Sequence, residues 1–553
     1  MPPRRIPVGR GQRPDLEVLR GYGGFVGLEL SLRYRRPRWP YCSRPWCPGN
    51  RAYVATANVY VCASCPIGFD GEVELYPSQP LTSRFIEAFA PGLLSPAGLH
   101  GKLRAKMYSV VVAAAGRLAG YEPLPSVEAP CSTASRSIVD VSDRVLVIGA
   151  GVAGLAAAAK SAEYGVKVVL AEATSVLGGF VRLLGGEASE AARRLVKAVE
   201  RSGRVKILTG ASYIGLYDEG HAVVASDSIL LARRGIPVVY AAGSEAPPPL
   251  AIGNDLPGVV SASYLLELVE AGYRPRSIAV IGAGPWAMEV AEALAEKVEK
   301  VYVVARREQL VRDAPGRVEV VEAGEVVFQG RGRLDEVPVD GRHLRVEAAA
   351  SAVSEYPNAL AAYAAGYRAT YCSSVGTIVP EPVRPEPGWL EDRSWLIPAG
   401  SAAGDYELEA ALAGGELAGA IAAWRLGRAS EEDVKAAYQA YRRVSRIAGC
   451  SPDSTDVATR PPVLLSSSVK GLQFVDLDED IVLGDVIEAW ERGYHGMELL
   501  KRATGLGTGL EQGRFSAVTA ALILSHLYRV PVNSIGVFRA RPPLSLPQVS
   551  LLA

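Results

Sequence analysis

Short apolar runs that end on glycine, each followed by a stretch of small residues at helical spacing and then a second apolar run, punctuate the middle of this chain. The first unit reads DRVLVIGAGVAGLAAAAKSAEYGVKVVLAE. It has apolar Val145–Ile148, glycines at 149, 151 and 154, an Ala-rich segment, and a second run over Val166–Leu170 that ends at Glu172. The second unit, SIAVIGAGPWAMEVAEALAEKVEKVYVVARRE, repeats the pattern with Gly282, Gly284 and Ala287 in the glycine positions. Strand, glycine turn, helix and strand in that order predict a βαβ unit. Two such units predict an α/β fold with two dinucleotide-binding domains. A third segment, SWLIPAGSAAGDYELEAALAGGELAGAIAAWRLG, predicts a strand, a turn at Gly400 and a long helix of small residues.

The chemistry follows from the spacing. Gly149 permits the tight turn, Gly151 lets backbone approach a pyrophosphate, and Gly154 lets the helix pack closely on its strand. The helix N-terminus offers N–H groups and a positive dipole end to phosphates. Glu172 closes the second strand, where a carboxylate accepts bonds from ribose hydroxyls. Gly178 and Gly179 predict a second backbone turn near the phosphates, as in flavoproteins. FAD, NAD and ATP share the adenosine diphosphate that this motif reads, so it predicts an adenine nucleotide without choosing among them. In the second unit Trp286 is bulky beside the phosphate path, and the strand ends in Ala305, Arg306 and Arg307 rather than an acid. Arginines there favour a 2′-phosphate, hence NADP. The alternative is a relic domain kept for packing, with two solvated arginines.

At 553 residues the chain has ample sequence for several cores. Residues 1–125 form a region rich in Arg, Pro and Cys, Tyr121–Arg136 reads as a linker, 140–430 hold the two-dinucleotide module, and 431–553 form a C-terminal region. Formal net charge is zero, with 59 basic and 59 acidic residues, which argues against nucleic-acid and membrane attraction. The basic run Arg33, Arg35, Arg36 and Arg38, interleaved with Tyr34 and Trp39, reads as a solvated face; its aromatics would also suit a single-stranded nucleic acid, against which the zero net charge argues. The apolar run Val110–Gly116 is too short to span a bilayer, and MPPRRIPVGRGQRPD lacks the core of a signal peptide. A cytoplasmic protein is expected. Frequent Pro with sparse Cys, Met and His fits a thermophile.

No Ser/His/Asp or Cys/His constellation emerges, and no CxxC or CxxxxC pair follows Gly179, so no catalytic residue is assigned. Cys42, Cys47, Cys62 and Cys65 cluster within PYCSRPWCPGNRAYVATANVYVCASCP. Four thiolates hold a [2Fe–2S] cluster or Zn²⁺; free thiols or disulfides are the alternative. Cys131, Cys372 and Cys450 stand isolated and are expected to be inert.

Four further stretches carry a resemblance: RGYGGFVGLELSLRYRRPRW, AAGSEAPPPLAIGNDLPGVVSAS, QFVDLDEDIVLGDVIEAWERGYHGMELLKRATGLGTGLEQGRF and GVFRARPPLSLPQV. With them the chain resembles the alpha subunit of heterotetrameric sarcosine oxidase and its relatives, among them the alpha subunit of dye-linked L-proline dehydrogenase and the large subunits of hydrogen cyanide synthase and opine oxidase. The resemblance implies a glutathione-reductase-like flavoprotein core between an N-terminal ferredoxin-like region and a small C-terminal helical domain. It implies a partner beta subunit resembling glycine or D-amino-acid oxidases, which carries FAD and oxidises the amine, with room for further small subunits. FMN at the subunit interface would relay electrons, so that this chain is an oxidoreductase subunit. Its N-terminal cysteines match the ferredoxin-like spacing only in part, because Asn50 occupies a ligand position. In cluster-bearing relatives the C-terminal module holds [2Fe–2S] on cysteines. Here those positions read Asp476, Asp478, Glu511 and Ser516, which do not suit a cluster. By position, Thr508, Gly509, Gln512, Gly513, Arg514 and Ser516 would instead line the FMN, with Arg514 on its phosphate. Two other readings stay open: a stand-alone NAD(P)H-dependent flavin reductase resembling thioredoxin reductase, and a scaffold that binds ATP structurally.

Overall fold

The computed structural model describes residues 137–544, apart from 226–227, 257, 271–272, 283, 307–316, 331–333, 387–388, 390–394, 460, 462, 464, 466–471 and 510; before residue 137 it describes only short strands. Four of these, Arg4–Val8, Gly71–Leu75, Arg51–Val54 and Val59–Cys62, pair in that order as an antiparallel sheet. Cys42, Cys47 and Cys65 lie outside the described residues, as does the side chain of Cys62, and with them the expected metal centre.

Two parallel five-stranded sheets organise the rest. In the first, β1 (Val145–Ile148), β2 (Val168–Glu172), β3 (Val205–Thr209) and β4 (Val238–Tyr240) lie in the order β3-β2-β1-β4, with α1 (Val152–Glu163) crossing between β1 and β2. β1 and β2 are buried along their whole length, and so are apolar throughout rather than alternating. In the second sheet, β5 (Ser277–Ile281) leads through α2 (Pro285–Ala295) to β6 (Lys300–Ala305), flanked by Val259–Ser261 and Ala348–Ser351 on one side and Val318–Glu322 on the other. The chain then returns to the first sheet, where β7 (Leu396–Pro398) adds beside β4. After a turn at Gly400 it runs on as α3 (Leu408–Arg425). Both fingerprints thus occupy the strand–turn–helix positions expected of them. The only shift is at β2, which starts at Val168 and runs through Glu172.

α3 explains its own composition. A Cβ on Gly415 would lie 2.2 Å from the Ala153 carbonyl oxygen, and one on Gly419 would lie 2.6 Å from that of Ala157. The small-residue stripe therefore lets two helix backbones touch at the N-terminal half of α1. α4 (Glu431–Val444) is opened by a Ser430–Asp433 capping box. It buries Val434 and Tyr441 in the first domain's core, so this charged helix belongs to that domain rather than opening the C-terminal module.

The C-terminal module comprises Leu483–Glu491, Met497–Thr504, α5 (Ser516–Tyr528) and Val532–Ile535. It shares one apolar core with the second domain: Phe474, Leu500 and Phe515 join Phe328, Leu334 and Val346. Its tail then reaches back to the first domain. There Pro542 sits where a Cβ on Gly215 would be, and the Leu544 N–H bonds to the Ile214 carbonyl at 2.8 Å.

Two cysteines expected to be isolated are not. Cys372 and Cys450 form a disulfide across 78 residues, with Cα atoms 5.4 Å apart. Sequence separation hid the pair, because only the return of the chain after α4 brings Cys450 beside the strand Ala369–Cys372.

Gly415→Ala should lower unfolding free energy by about 1–3 kcal/mol, the range for overpacking against backbone that cannot retreat. Gly484→Ala is the counterpart, since Gly484 is helical with open space at its Cβ position. It should be neutral or stabilising by up to about 1 kcal/mol. Chemical denaturation of both variants checks the opposite signs.

Candidate functional site: the nucleotide cavity

A cavity of about 1090 Å³ opens at the N-terminus of α1 and extends to α2 of the second domain. Its near end is built by the first fingerprint. Gly149 takes φ +93°, and a Cβ there would lie 2.3 Å from the Ala241 carbonyl oxygen; a Cβ on Gly154 would lie 1.9 Å from that of Gly149. Both positions are closed to any side chain. Gly151 is the opposite case: nothing lies within 4 Å of its Cβ position, and it lines the cavity. Its openness is the cradle that a pyrophosphate would fill, with the first-turn N–H groups of α1 facing it. Gly178 and Gly179 add the second turn. The Gly178 N–H bonds to the Ala150 carbonyl at 2.8 Å, and a Cβ on Gly179 would come 3.1 Å from Gly151 Cα. Gly400 packs against α1, where its own Cβ would lie 2.5 Å from that of Ala153, and its neighbours Ala399 and Ser401 line the cavity.

Glu172 lines the cavity and already accepts three bonds at 2.8 Å, from the Ala150 N–H and from the Thr174 N–H and Oγ1. A carboxylate has about four acceptor positions. It therefore ties the glycine turn to the end of β2 and keeps capacity for one ribose hydroxyl. These residues fit the adenosine diphosphate part of a dinucleotide.

The second fingerprint keeps the same division. Gly282, at φ +129°, would place a Cβ 2.3 Å from the Ala352 carbonyl oxygen, whereas Gly284 is open. Trp286 does not stand alone beside a phosphate path. It faces the first cavity, edge-on to Phe180 at 6.3 Å. Arg306 is only 5% exposed, so it is not held out to solvent, and Arg307 lies outside the described residues.

The far end carries groups that no sequence motif marked. Ser244 Oγ donates to Glu355 Oε1 at 2.7 Å, and Tyr406 OH donates to the Glu355 carbonyl at 2.9 Å. Burial pushes the Glu355 carboxyl up to about 7, against the Ser244 bond. Asp405, four residues past the Ser401 that follows Gly400, accepts from Tyr441 OH at 3.0 Å and Ser445 Oγ at 2.6 Å. Burial raises it to about 6. These residues come from segments far apart in the chain, which no local pattern connects.

The C-terminal set folds on itself. Ser516 is fully buried and donates to Glu511, whose carboxylate also accepts the Phe515 N–H at 2.7 Å. Asp476 accepts the N–H groups of Gly507, Asp478 and Glu479, and Asp478 accepts that of Glu511. At these positions carboxylates bind backbone N–H groups. The close approach expected of the glycines is taken by this chain's own side chains. Phe538 lies 2.1 Å from the Cβ positions of Gly507 and Gly513, and Asp478 lies 2.4 Å from that of Gly509. Gln512 Nε2 donates to the Pro543 carbonyl at 2.8 Å, and Thr508 alone of the set is exposed. Arg514 turns into the nucleotide cavity and pairs with Glu245 at 3.4 Å. In this structure most polar groups of the set bond within the chain, while Arg514 Nε has no partner.

Among the described residues no helix is long and apolar enough to cross a membrane. Fold and cavity define an α/β protein of the two-dinucleotide-domain flavoprotein type, and the family model for pyridine nucleotide-disulphide oxidoreductases matches residues 143–331. The sarcosine oxidase A3 domain matches residues 470–553. The chain is 27% identical over 428 residues to the sarcosine oxidase subunit alpha of Rhizobium meliloti (strain 1021), covering 72% of this chain and 41% of that protein. To the same subunit of Corynebacterium sp. (strain P-1) it is 26% identical over 434 residues, covering 70% and 42%. It thus spans about two fifths of the length of these relatives. The crystal structure of L-proline dehydrogenase from P. horikoshii superposes with a TM-score of 0.58 at 23% identity, covering 75% of this chain and 80% of that one, a likeness of fold. The resemblance to sarcosine oxidase alpha subunits is borne out, and this chain is a relative of them.

Gly151→Ala should leave thermal stability within a degree or so, since its φ of −72° suits any residue, while weakening adenine-nucleotide binding roughly tenfold or more. Melting curves and equilibrium binding to the purified chain separate the two effects. A second expectation concerns pH. Burial and the charges of Asp476 and Asp478 raise Glu511 from 4.5 to about 8, so the folded state binds a proton that the unfolded state has lost. Stability should therefore fall as pH rises from about 4.5 towards 8 and level off above. Glu511→Gln should flatten that slope in melts taken across the range.

Proposed function

We propose that this chain is the nucleotide-binding alpha subunit of a multi-subunit flavin-dependent amine or amino-acid dehydrogenase or oxidase, of the sarcosine or proline type. Substrate oxidation takes place on an FAD-containing beta subunit resembling glycine and D-amino-acid oxidases. The nucleotide, FAD or NAD, is held by Gly149, Gly151, Gly154, Glu172, Gly178, Gly179 and Gly400. Electron relay passes through an FMN at the boundary between the two chains. Of the residues matched to it, Thr508 is the one left facing outward, so the partner supplies most of that flavin's contacts. The N-terminal cysteines hold a [2Fe–2S] cluster in the same relay. One observation carries the reading: the segment matching the sarcosine oxidase A3 domain contributes both Arg514 and Leu544 to the wall of the nucleotide cavity. Module and nucleotide site are one unit, as an alpha subunit requires.

A specific feature favours a second reading. The Cys372–Cys450 disulfide lies directly behind cavity-lining Ser374, whose Oγ is 3.1 Å from Cys372 Sγ. A stand-alone NAD(P)H-dependent flavin reductase would use such a pair.

Purification of the native assembly, with released nucleotides and iron analysed, tests the choice. A second oxidase-like chain with FAD plus FMN is the expected result, and iron would support the cluster. A lone chain that holds one FAD and oxidises NADPH would overturn the subunit reading.

A further inference from the structure

After α4 the chain leaves the first domain through a loop over residues 445–456 and passes into the C-terminal module. That loop is held at both ends. Ser445 Oγ donates to Asp405 Oδ1 at 2.6 Å, and Ile447 packs in a small buried cluster with Cys372, Val379 and Ala403. Further on, Asn533 of the module donates to the Pro452 and Ser454 carbonyls at 3.0 and 3.1 Å, while its Oδ1 accepts the Tyr371 N–H at 2.7 Å. Between these anchors sits the Cys372–Cys450 disulfide. Its two halves are unlike. Cys372 is fully buried, whereas Cys450 is only partly covered and follows exposed Gly449, which has nothing within 4 Å of its Cβ position. Arg384 Nη2 donates to the Cys450 carbonyl at 2.7 Å and so sets a guanidinium beside the outer half. At the inner half, Ser374 Oγ lies 3.1 Å from Cys372 Sγ and donates to the Arg446 carbonyl at 2.9 Å. Access from one side, a cation at the outer cysteine and a hydroxyl at the inner sulfur are what exchange with a thiolate uses.

We propose that Cys372–Cys450 is a thiol–disulfide exchange site, entered at Cys450 by a dithiol from solution, and that its opening loosens the loop between the first domain and the module. The incoming thiolate attacks Cys450 Sγ and forms a mixed disulfide, and the bond between the two cysteines breaks with its electron pair left on Cys372. Ser374 can turn its hydroxyl hydrogen from the Arg446 carbonyl towards that thiolate, which then takes up a proton. The second thiol of the dithiol attacks its own first sulfur, releases Cys450, and the dithiol departs as a disulfide. Two electrons pass to the pair, and the dithiol's two protons end on the two cysteines. Entry at the other sulfur is closed, because Cys372 has no exposed surface. No bound nucleotide or flavin takes part, so the site goes beyond both readings of the function. Opening removes the covalent tie between the loop and the strand Ala369–Cys372, while Ser445, Ile447 and Asn533 keep their contacts. The loop therefore loosens without the domain unfolding. Ser374 and Arg446 both line the nucleotide cavity, so the loosening reaches its rim.

The test is reduction of the folded full chain by dithiothreitol, without NADPH, followed by alkylation and peptide mass mapping. Opening is expected within about an hour at a temperature well below the melting transition. Glutathione, a monothiol, should be trapped as a mixed disulfide on Cys450 and not on Cys372. Ser374→Ala should slow opening about threefold or more, and Ser374→Thr, which keeps the hydroxyl, should restore the rate. In the reduced chain, hydrogen exchange should quicken roughly fivefold or more for amides of residues 446–456, with α1 and α3 unchanged. Cys450→Ser should show the same exchange pattern without reductant. A pair that resists dithiothreitol until the chain unfolds, an adduct on Cys372, or exchange over 446–456 unmoved by reduction would each overturn the proposal.

Discussion

Everything in this molecule that bears on function depends on how tightly the first turn of α1 is gripped. Gly154 lies against the Gly149 carbonyl, Gly400 against the Ala153 methyl, and Gly415 and Gly419 against the carbonyls of Ala153 and Ala157. Each contact removes the space that a Cβ would need. The helix N-terminus is thereby fixed from the strand side and from the α3 side at once, while Gly151 is left open. A phosphate site made of backbone N–H groups works only if those groups are held before the ligand arrives, because ordering them on binding would offset the affinity gained. The glycines achieve this by backbone contact, and the Glu172 carboxylate adds a bond from the Ala150 N–H of the same turn.

The two halves of the chain are joined through that cavity rather than merely beside it. The C-terminal module grows out of the second domain's core, yet its tail returns to the first domain at Ile214 and sends Leu544 into the cavity wall. Arg514, on the loop before α5, reaches the same wall. The carboxylates of Asp476, Asp478 and Glu511 hold the loop before α5 by binding its backbone N–H groups.

What could be read in advance was local. The two fingerprints place turn, close approach and helix packing at fixed offsets within some ten residues, and the structure uses Gly149, Gly154 and Gly282 in those ways. The expectation for Glu172 was partly legible: it reaches the site, but most of its acceptor capacity secures the turn. The C-terminal glycines were read as space for a flavin, and the space at their Cβ positions is filled by Phe538 and Asp478. Nothing near Gly507 or Gly513 announces a ring that arrives from the tail.

The sequence by itself determined the class of fold and the place of the glycine turn that opens α1, because a βαβ unit is written in short-range periodicity and in residues that lack a side chain. Tertiary structure alone decided what surrounds the cradle. It united Cys372 with Cys450, turned Arg514 onto Glu245, and gathered Ser244, Glu355 and Tyr406 at one end of the cavity. Those partners lie far apart along the chain. Their meeting depends on how two sheets and a returning tail pack together, and no local spacing encodes that.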